Sequence, residues 1–121
     1  MGRIIVVDDE TDLFPVFKIK FRKEIDHGQL QFQFFTNGPE IISFMEKNPE
    51  SQVKAILIDL FLPGMSGIEV LKNLKTKHPG IKFYIFSASY QEEIKKEVMA
   101  AGADNFFPKP LNFQEIRKIL I

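Results

Sequence analysis

Five polar residues stand where apolar runs end. Asp8 and Asp9 follow Ile4-Ile5-Val6-Val7, and Asp59 follows Ala55-Ile56-Leu57-Ile58. Ser87 follows Phe83-Tyr84-Ile85-Phe86, and Lys109 comes just past Phe106-Phe107. If the runs are parallel strands, their carboxyl ends open on one crevice, the place where open α/β sheets bind ligands. Three carboxylates there repel one another: two unit charges about 4 Å apart cost roughly 4 kcal/mol at an effective dielectric near 20. A hard divalent cation, Mg²⁺ above all, relieves that repulsion, because it takes oxygen ligands and accepts a phosphate oxygen alongside its waters. Lys109 and Ser87 add an ammonium and a hydroxyl donor, which suit the terminal oxygens of a phosphoryl group. Asp59 is then a candidate nucleophile, since carboxylates form acyl phosphates. Mg²⁺ and Lys109 would neutralise charge on the transferred group.

The elements that must position these groups follow from periodicity and turn chemistry. Strands are expected at Arg3–Val7, Leu30–Phe35, Lys54–Ile58, Ile81–Phe86 and Asp104–Phe107. Gln31 and Gln33 alternate with Phe32 and Phe34, the pattern of a half-exposed edge, whereas the third strand is apolar on both faces, as central parallel strands are. Helices are expected from Thr11 (as N-cap) to Ile25, from Asn37-Gly38-Pro39 to Lys47, over Ile68–Lys77, over Gln91–Ala101 with Gly102 closing it, and from an Asn112 cap to the end. Pro15 falls near the first turn, where its missing N–H costs little. Strict β-α alternation predicts an α/β fold in three layers, α/β/α, around a five-stranded parallel sheet. Right-handed crossovers favour the flavodoxin-like order 2-1-3-4-5, which leaves the fifth strand at an edge where Pro108 is tolerable.

The chain has 121 residues, so residues 1–121 read as one domain. A hydrophobic fraction of 45 % excludes disorder, and a formal net charge of +0 gives no global pull toward nucleic acid or an anionic membrane. There is no Cys, hence no disulfide framework and no thiolate metal site, which fits a cytoplasmic location. No apolar run approaches the roughly 18 residues of a membrane helix, and no signal-peptide pattern is present. His27 and His78 fall in predicted loops and read as surface residues.

Taken in order, the motifs identify a family. Val6-Val7-Asp8-Asp9-Glu10, Ile58-Asp59-Leu60-Phe61-Leu62-Pro63-Gly64-Met65-Ser66-Gly67, Ser87-Ala88 and Gly102-Ala103-Asp104-Asn105-Phe106-Phe107-Pro108-Lys109-Pro110 together resemble the receiver domain of bacterial two-component response regulators, over essentially the whole chain. The resemblance implies a CheY-like fold and a phosphorelay signalling role. Asp59 would accept a phosphoryl group from a phosphohistidine on a histidine kinase or phosphotransfer protein. Asp9 and Asp59 would ligate Mg²⁺ directly, Asp8 mainly through water, and Phe61 through its backbone carbonyl. Ser87 and Lys109 would bind the phosphoryl oxygens, with a cis Lys109–Pro110 peptide. Phe106 matches the switch aromatic that swings inward as Ser87 moves toward the phosphoryl group. The output surface would comprise the fourth helix, fifth strand and fifth helix, around Tyr90, Phe106 and Phe113, facing a downstream domain or protein and compatible with a homodimer.

Departures from the family pattern carry expectations of their own. Phe rather than Tyr at 106 packs but cannot donate a hydrogen bond, and Ser rather than Thr at 87 lacks a methyl. Phe61, two residues past the acceptor, offers hydrolytic water no hydrogen bond, which predicts slow self-dephosphorylation. A last helix of about nine residues, short against mean helices of about 11–12, suggests a receiver cut from a longer regulator or hybrid kinase, with a compact stand-alone protein as the alternative. The competing readings are a degenerate receiver acting as a constitutive interaction module, a Mg²⁺ phosphatase and a flavodoxin. The first conflicts with the complete set of site residues. The second would want a second acid where Phe61 stands and a substrate cap. The third would make the protein coloured. A conventional turnover enzyme is therefore not expected.

Overall fold

Each apolar run forms a strand, and each strand stops at the polar residue behind it. The computed structural model describes residues 2–49 and 52–121. The strands are β1 Gly2–Val7, β2 Leu30–Phe35, β3 Val53–Asp59, β4 Lys82–Ser87 and β5 Asn105–Pro108. All neighbouring pairs are parallel, in the order β2-β1-β3-β4-β5. The expected topology is thus present, with the Gln-alternating strand and the Pro108 strand at the two edges. Pro108 lies inside β5, opposite Ser87, one residue later than the expected strand end.

The helices are α1 Leu13–Lys20, α2 Arg22–Asp26, α3 Gly38–Lys47, α4 Gly67–Lys77, α5 Glu92–Ala100 and α6 Phe113–Leu120. Period-two alternation along the strands separates two cores. Ile5, Val7, Ile56, Ile58, Phe83, Ile85 and Phe106 face Ile41, Met45, Val70, Leu71, Leu74 and Val98 of α3, α4 and α5. Ile4, Val6, Ala55, Leu57, Tyr84, Phe86 and Phe107 face Phe17 of α1, Phe21 just after it, and Ile116 and Leu120 of α6, a layer extended by Phe14, Phe32, Phe34 and Phe113. Fully burying one such side chain stabilises by about 1.5–3 kcal/mol, so this ring-rich layer is a principal anchor of the fold.

Two expectations for the first helix need correction. Thr11 is not the cap: Asp12 precedes the helix without a side-chain cap bond, while the Leu13 and Phe14 N–H groups donate to the Glu10 and Thr11 carbonyls. Backbone acceptors thus satisfy donors that a side-chain cap would otherwise serve. The helix also does not run unbroken to Ile25. Phe21 leaves helical geometry (φ −110°, ψ 23°) with its ring fully buried. Arg117 of α6 donates to the Lys20 carbonyl and to Glu24, and its guanidinium lies 4.7 Å from the Phe21 ring centroid. The interruption sits where α6 reaches across to claim that carbonyl. The expected fourth and fifth helices are consequently α5 and α6.

The caps at Asn37 and Asn112 are as expected. Asn37 Oδ1 accepts from the Glu40 N–H at 2.9 Å, and Asn112 Oδ1 accepts from Gln114 and Glu115. Gly102, at φ +106°, closes α5 in the left-handed region that glycine tolerates.

Candidate functional site

Four strand ends deliver the site. Asp8 leaves β1 with its N–H bonded to the Phe35 carbonyl at 3.0 Å, which fixes it to the sheet. Asp59 is the last residue of β3 and Ser87 the last of β4. Lys109 follows β5; its N–H donates to the Ser87 carbonyl at 2.9 Å, and the Lys109–Pro110 peptide is cis, as the family resemblance implied. Beyond β3, the Leu60 N–H donates to the Phe86 carbonyl and the Gly67 N–H to the Leu60 carbonyl. This folds the Phe61–Ser66 loop back so that α4 begins against the acceptor strand. A Cβ on Gly67 would lie 2.5 Å from the Asp59 carbonyl oxygen, so only glycine permits this approach.

Lys109 is the electrostatic centre. Its Nζ donates to Asp8 Oδ2 at 3.1 Å, Asp59 Oδ2 at 3.2 Å and Glu10 Oε1 at 3.2 Å, and lies 5.3 Å from the Phe86 ring centroid. The carboxylates are held from behind as well. The Glu10 N–H donates to Asp8 Oδ1 at 2.9 Å, and the Phe61 N–H to Asp59 Oδ1 at 3.2 Å.

Burial and charge act against each other here. Asp8 is fully buried and Asp59 nearly so. Burial, with Asp59's charge adding to it, pushes the Asp8 carboxyl up to about 6 against the opposing bonds from Glu10 N–H and Lys109. Burial raises Asp59 also, while the Lys109 charge and the Phe61 N–H pull it back. For Lys109, burial works to lower the ammonium's pKa, but the Asp8 bond and the two aspartate charges outweigh it and leave it raised. One ammonium therefore holds the cluster together without fully relieving it.

Carboxylate oxygens of Asp8, Glu10 and Asp59 lie within 4.8 Å of one another. Such hard, anionic oxygen donors suit Mg²⁺ or Ca²⁺ and not a soft metal. The structure thus brings Asp8, Asp59 and Lys109 together. It places Asp9, the expected direct ligand, on the exposed rim outside that trio. Glu10 joins the trio instead through its Lys109 bond, although its side chain stays mostly exposed. It was not singled out from the sequence, although period-two alternation continued past β1 puts residues 8 and 10 on one side.

Phe61 touches the cluster through its N–H, and its ring is 58 % exposed at the rim. Ser87 is fully buried, its Oγ accepting from the Ser89 N–H at 3.0 Å, a bond that leaves its own hydrogen free to donate elsewhere. Phe106 is 1 % exposed and stacks on Tyr90 with ring centroids 4.7 Å apart. The Phe106 ring is therefore turned into the core in this structure. A ring without a phenolic hydroxyl gains nothing polar by turning outward. Beside the cluster, a recess of about 210 Å³ runs along Leu13, Pro110, Leu111 and Phe113. A larger groove of about 540 Å³ between Lys18 and Phe32 is lined by none of these site residues.

Comparison with known proteins bears on this geometry. The family model for the response regulator receiver domain matches residues 4–121. The chain is 31 % identical to sporulation initiation phosphotransferase F of Bacillus subtilis, over 95 % of this chain and 87 % of that protein. It is 38 % identical over 81 residues to a cyclic di-GMP phosphodiesterase of Thermotoga maritima, spanning 67 % of this chain but only 21 % of that protein's length. Among solved structures, a CheY-like response regulator receiver domain protein from Methanospirillum hungatei superposes with a TM-score of 0.82 at 25 % identity, covering 99 % of this chain and 94 % of that one. The receiver domain of the Saccharomyces cerevisiae response regulator Ssk1, co-crystallised with the histidine phosphotransfer protein Ypd1, superposes with a TM-score of 0.83 at 19 % identity, covering 98 % of this chain and 86 % of that one.

Proposed function

The chain belongs to the receiver-domain family of two-component response regulators, and from that premise we propose that it is a Mg²⁺-dependent phosphoacceptor switch with Asp59 as the acceptor. The observation that carries this reading is the convergence of Asp8, Asp59 and Lys109 at the ends of three strands, within hydrogen-bond distance of one ammonium.

In the proposed reaction an Asp59 carboxylate oxygen attacks the phosphorus of a phosphohistidine on a histidine kinase or phosphotransfer protein. A P–O bond forms and the P–N bond breaks; the electron pair returns to the imidazole nitrogen, which takes up a proton. Asp59 must be ionised to attack, and Lys109 favours that form against the effect of burial. Asp8, Asp9 and Asp59, with the Phe61 carbonyl, would hold Mg²⁺, which supplies the charge neutralisation that three clustered carboxylates and an incoming phosphoryl group require. Lys109 would pair with one phosphoryl oxygen, and the free hydrogen of Ser87 would donate to another. Phosphorylation would shift an existing equilibrium through Ser87 and the segment leading to Tyr90, and so reach the α5–β5–α6 surface that faces an output domain or protein. With Phe106 already inward, repositioning of Ser87 and Tyr90, and not burial of a new ring, would carry the signal.

The domain assists its own phosphorylation and hydrolysis without turning over a separate substrate. The diesterase activity named for the Thermotoga relative is not carried over, since the chain spans about a fifth of that protein. No helix among the described residues is long and apolar enough to cross a membrane, and we place the domain in the cytoplasm with its kinase.

Intact mass after incubation with acetyl phosphate tests the reading. The expected result is a Mg²⁺-dependent gain of one phosphoryl group that Asp59→Ala abolishes. No gain, together with no stabilisation by beryllofluoride, would overturn it in favour of a constitutive interaction module.

A further inference from the structure

A lysine ammonium has three N–H donors, and Lys109 spends all three on carboxylates: Asp8 at 3.1 Å, Glu10 at 3.2 Å and Asp59 at 3.2 Å. No donor remains for a phosphoryl oxygen. Any anion that Lys109 is to bind at Asp59 must therefore displace one of its present partners.

The three partners are not equal. The Asp8 side chain is 0 % exposed and is pinned by the Glu10 N–H. The Asp59 side chain is 6 % exposed, is held by the Phe61 N–H, and is itself the group being modified. The Glu10 side chain is 71 % exposed. Glu10 can turn into water and be resolvated almost completely, whereas the two aspartates are enclosed and held in place by backbone N–H groups.

We propose that Glu10 is the exchangeable partner of Lys109: it saturates the ammonium in the resting state and leaves it when a phosphoryl group arrives. Glu10 is on this account a positioning residue, acting through Lys109 and not on the phosphoryl group. The inference rests on the reading of Asp59 as the phosphoacceptor. It makes the readiness of the site to accept a phosphoryl group depend on the strength of one solvent-exposed ion pair.

The test is the half-saturating concentration of beryllofluoride at saturating Mg²⁺, read from thermal stabilisation, for wild type, Glu10→Gln and Glu10→Asp. Removing a competitor should tighten beryllofluoride by about threefold, the scale of an exposed ion pair. Glu10→Asp keeps the charge but loses one methylene of reach, so it should tighten binding as Glu10→Gln does. Unchanged or weaker binding in Glu10→Gln would overturn the proposal. So would a Glu10→Asp variant that matches wild type, because charge at a distance would then explain the effect. If wild type itself fails to bind beryllofluoride, with no difference from Asp59→Asn, the phosphoacceptor reading fails, and the inference falls with it. Unliganded melting curves for each variant establish that it is folded.

Discussion

Replacing Asp8 with Asn should make the metal-free protein more stable, and the gain should depend on pH. Asp8 is 0 % exposed, and burial lifts its carboxyl from the ordinary 3.8 to about 6. The folded state therefore holds this proton more tightly than the unfolded state does. Between about pH 4 and pH 6 the folded protein binds more protons, so stability falls as pH rises through that window and stays reduced above it. At 1.36 kcal/mol per tenfold change in acidity, the interval corresponds to about 3 kcal/mol. Asn resembles the protonated carboxyl in shape and still accepts hydrogen bonds, but it never ionises. Urea unfolding in EDTA should give coincident stabilities near pH 3.5 and a variant about 3 kcal/mol more stable at pH 7.5, or roughly 10 °C in Tm. Mg²⁺ should shrink the difference by stabilising wild type more. A variant no more stable than wild type at pH 7.5, or a difference that does not change with pH, would refute the claim that the buried cluster is electrostatically strained.

Three further outcomes follow from particular contacts. Phe61→Asn places a hydrogen-bonding group on the rim and should shorten the phosphoform lifetime roughly tenfold, about 1.4 kcal/mol off the hydrolytic barrier; loss of the added phosphoryl mass over time measures it. Phe17→Ala removes a fully buried ring packed against Phe21, Phe32 and Phe113, and should cost about 3–5 kcal/mol in urea unfolding. Gly67→Ala drives a Cβ into the Asp59 carbonyl oxygen, 2.5 Å away, and toward Leu60 Cα at 2.9 Å. These neighbours are backbone and cannot rotate aside, so a loss of about 1–3 kcal/mol should accompany slower phosphorylation by acetyl phosphate.

The strand ends were legible because the runs stop abruptly: four apolar residues and then a carboxylate at Asp8, the same again at Asp59. A parallel sheet with right-handed crossovers admits few orders, so sheet topology followed from the alternation. The caps at Asn37 and Asn112 were legible because capping is local chemistry. The break at Phe21 was not, because the side chain that meets it, Arg117, is far away along the chain but adjacent in space. Nor was the contact of Glu10 with Lys109: the sequence presents three consecutive acids, and the ammonium that Asp8 and Glu10 share follows β5 at the far end of the chain. Residue types announced the chemistry, while long-range partners decided which side chains meet.

The stack of Tyr90 on Phe106 has a practical corollary. The chain has no Trp and two tyrosines. Tyr84 is 7 % exposed inside the ring-rich layer, whereas Tyr90 is 43 % exposed, with the Lys95 ammonium 5.9 Å from its ring centroid. Intrinsic ultraviolet emission therefore arises from one embedded phenol and one at the border of the proposed output face. Tyr90 is a native optical probe, already installed where the rearrangement should be felt, and a Tyr84→Phe background isolates its signal. Phosphorylation, its decay and the docking of an output partner can then be followed by label-free fluorescence.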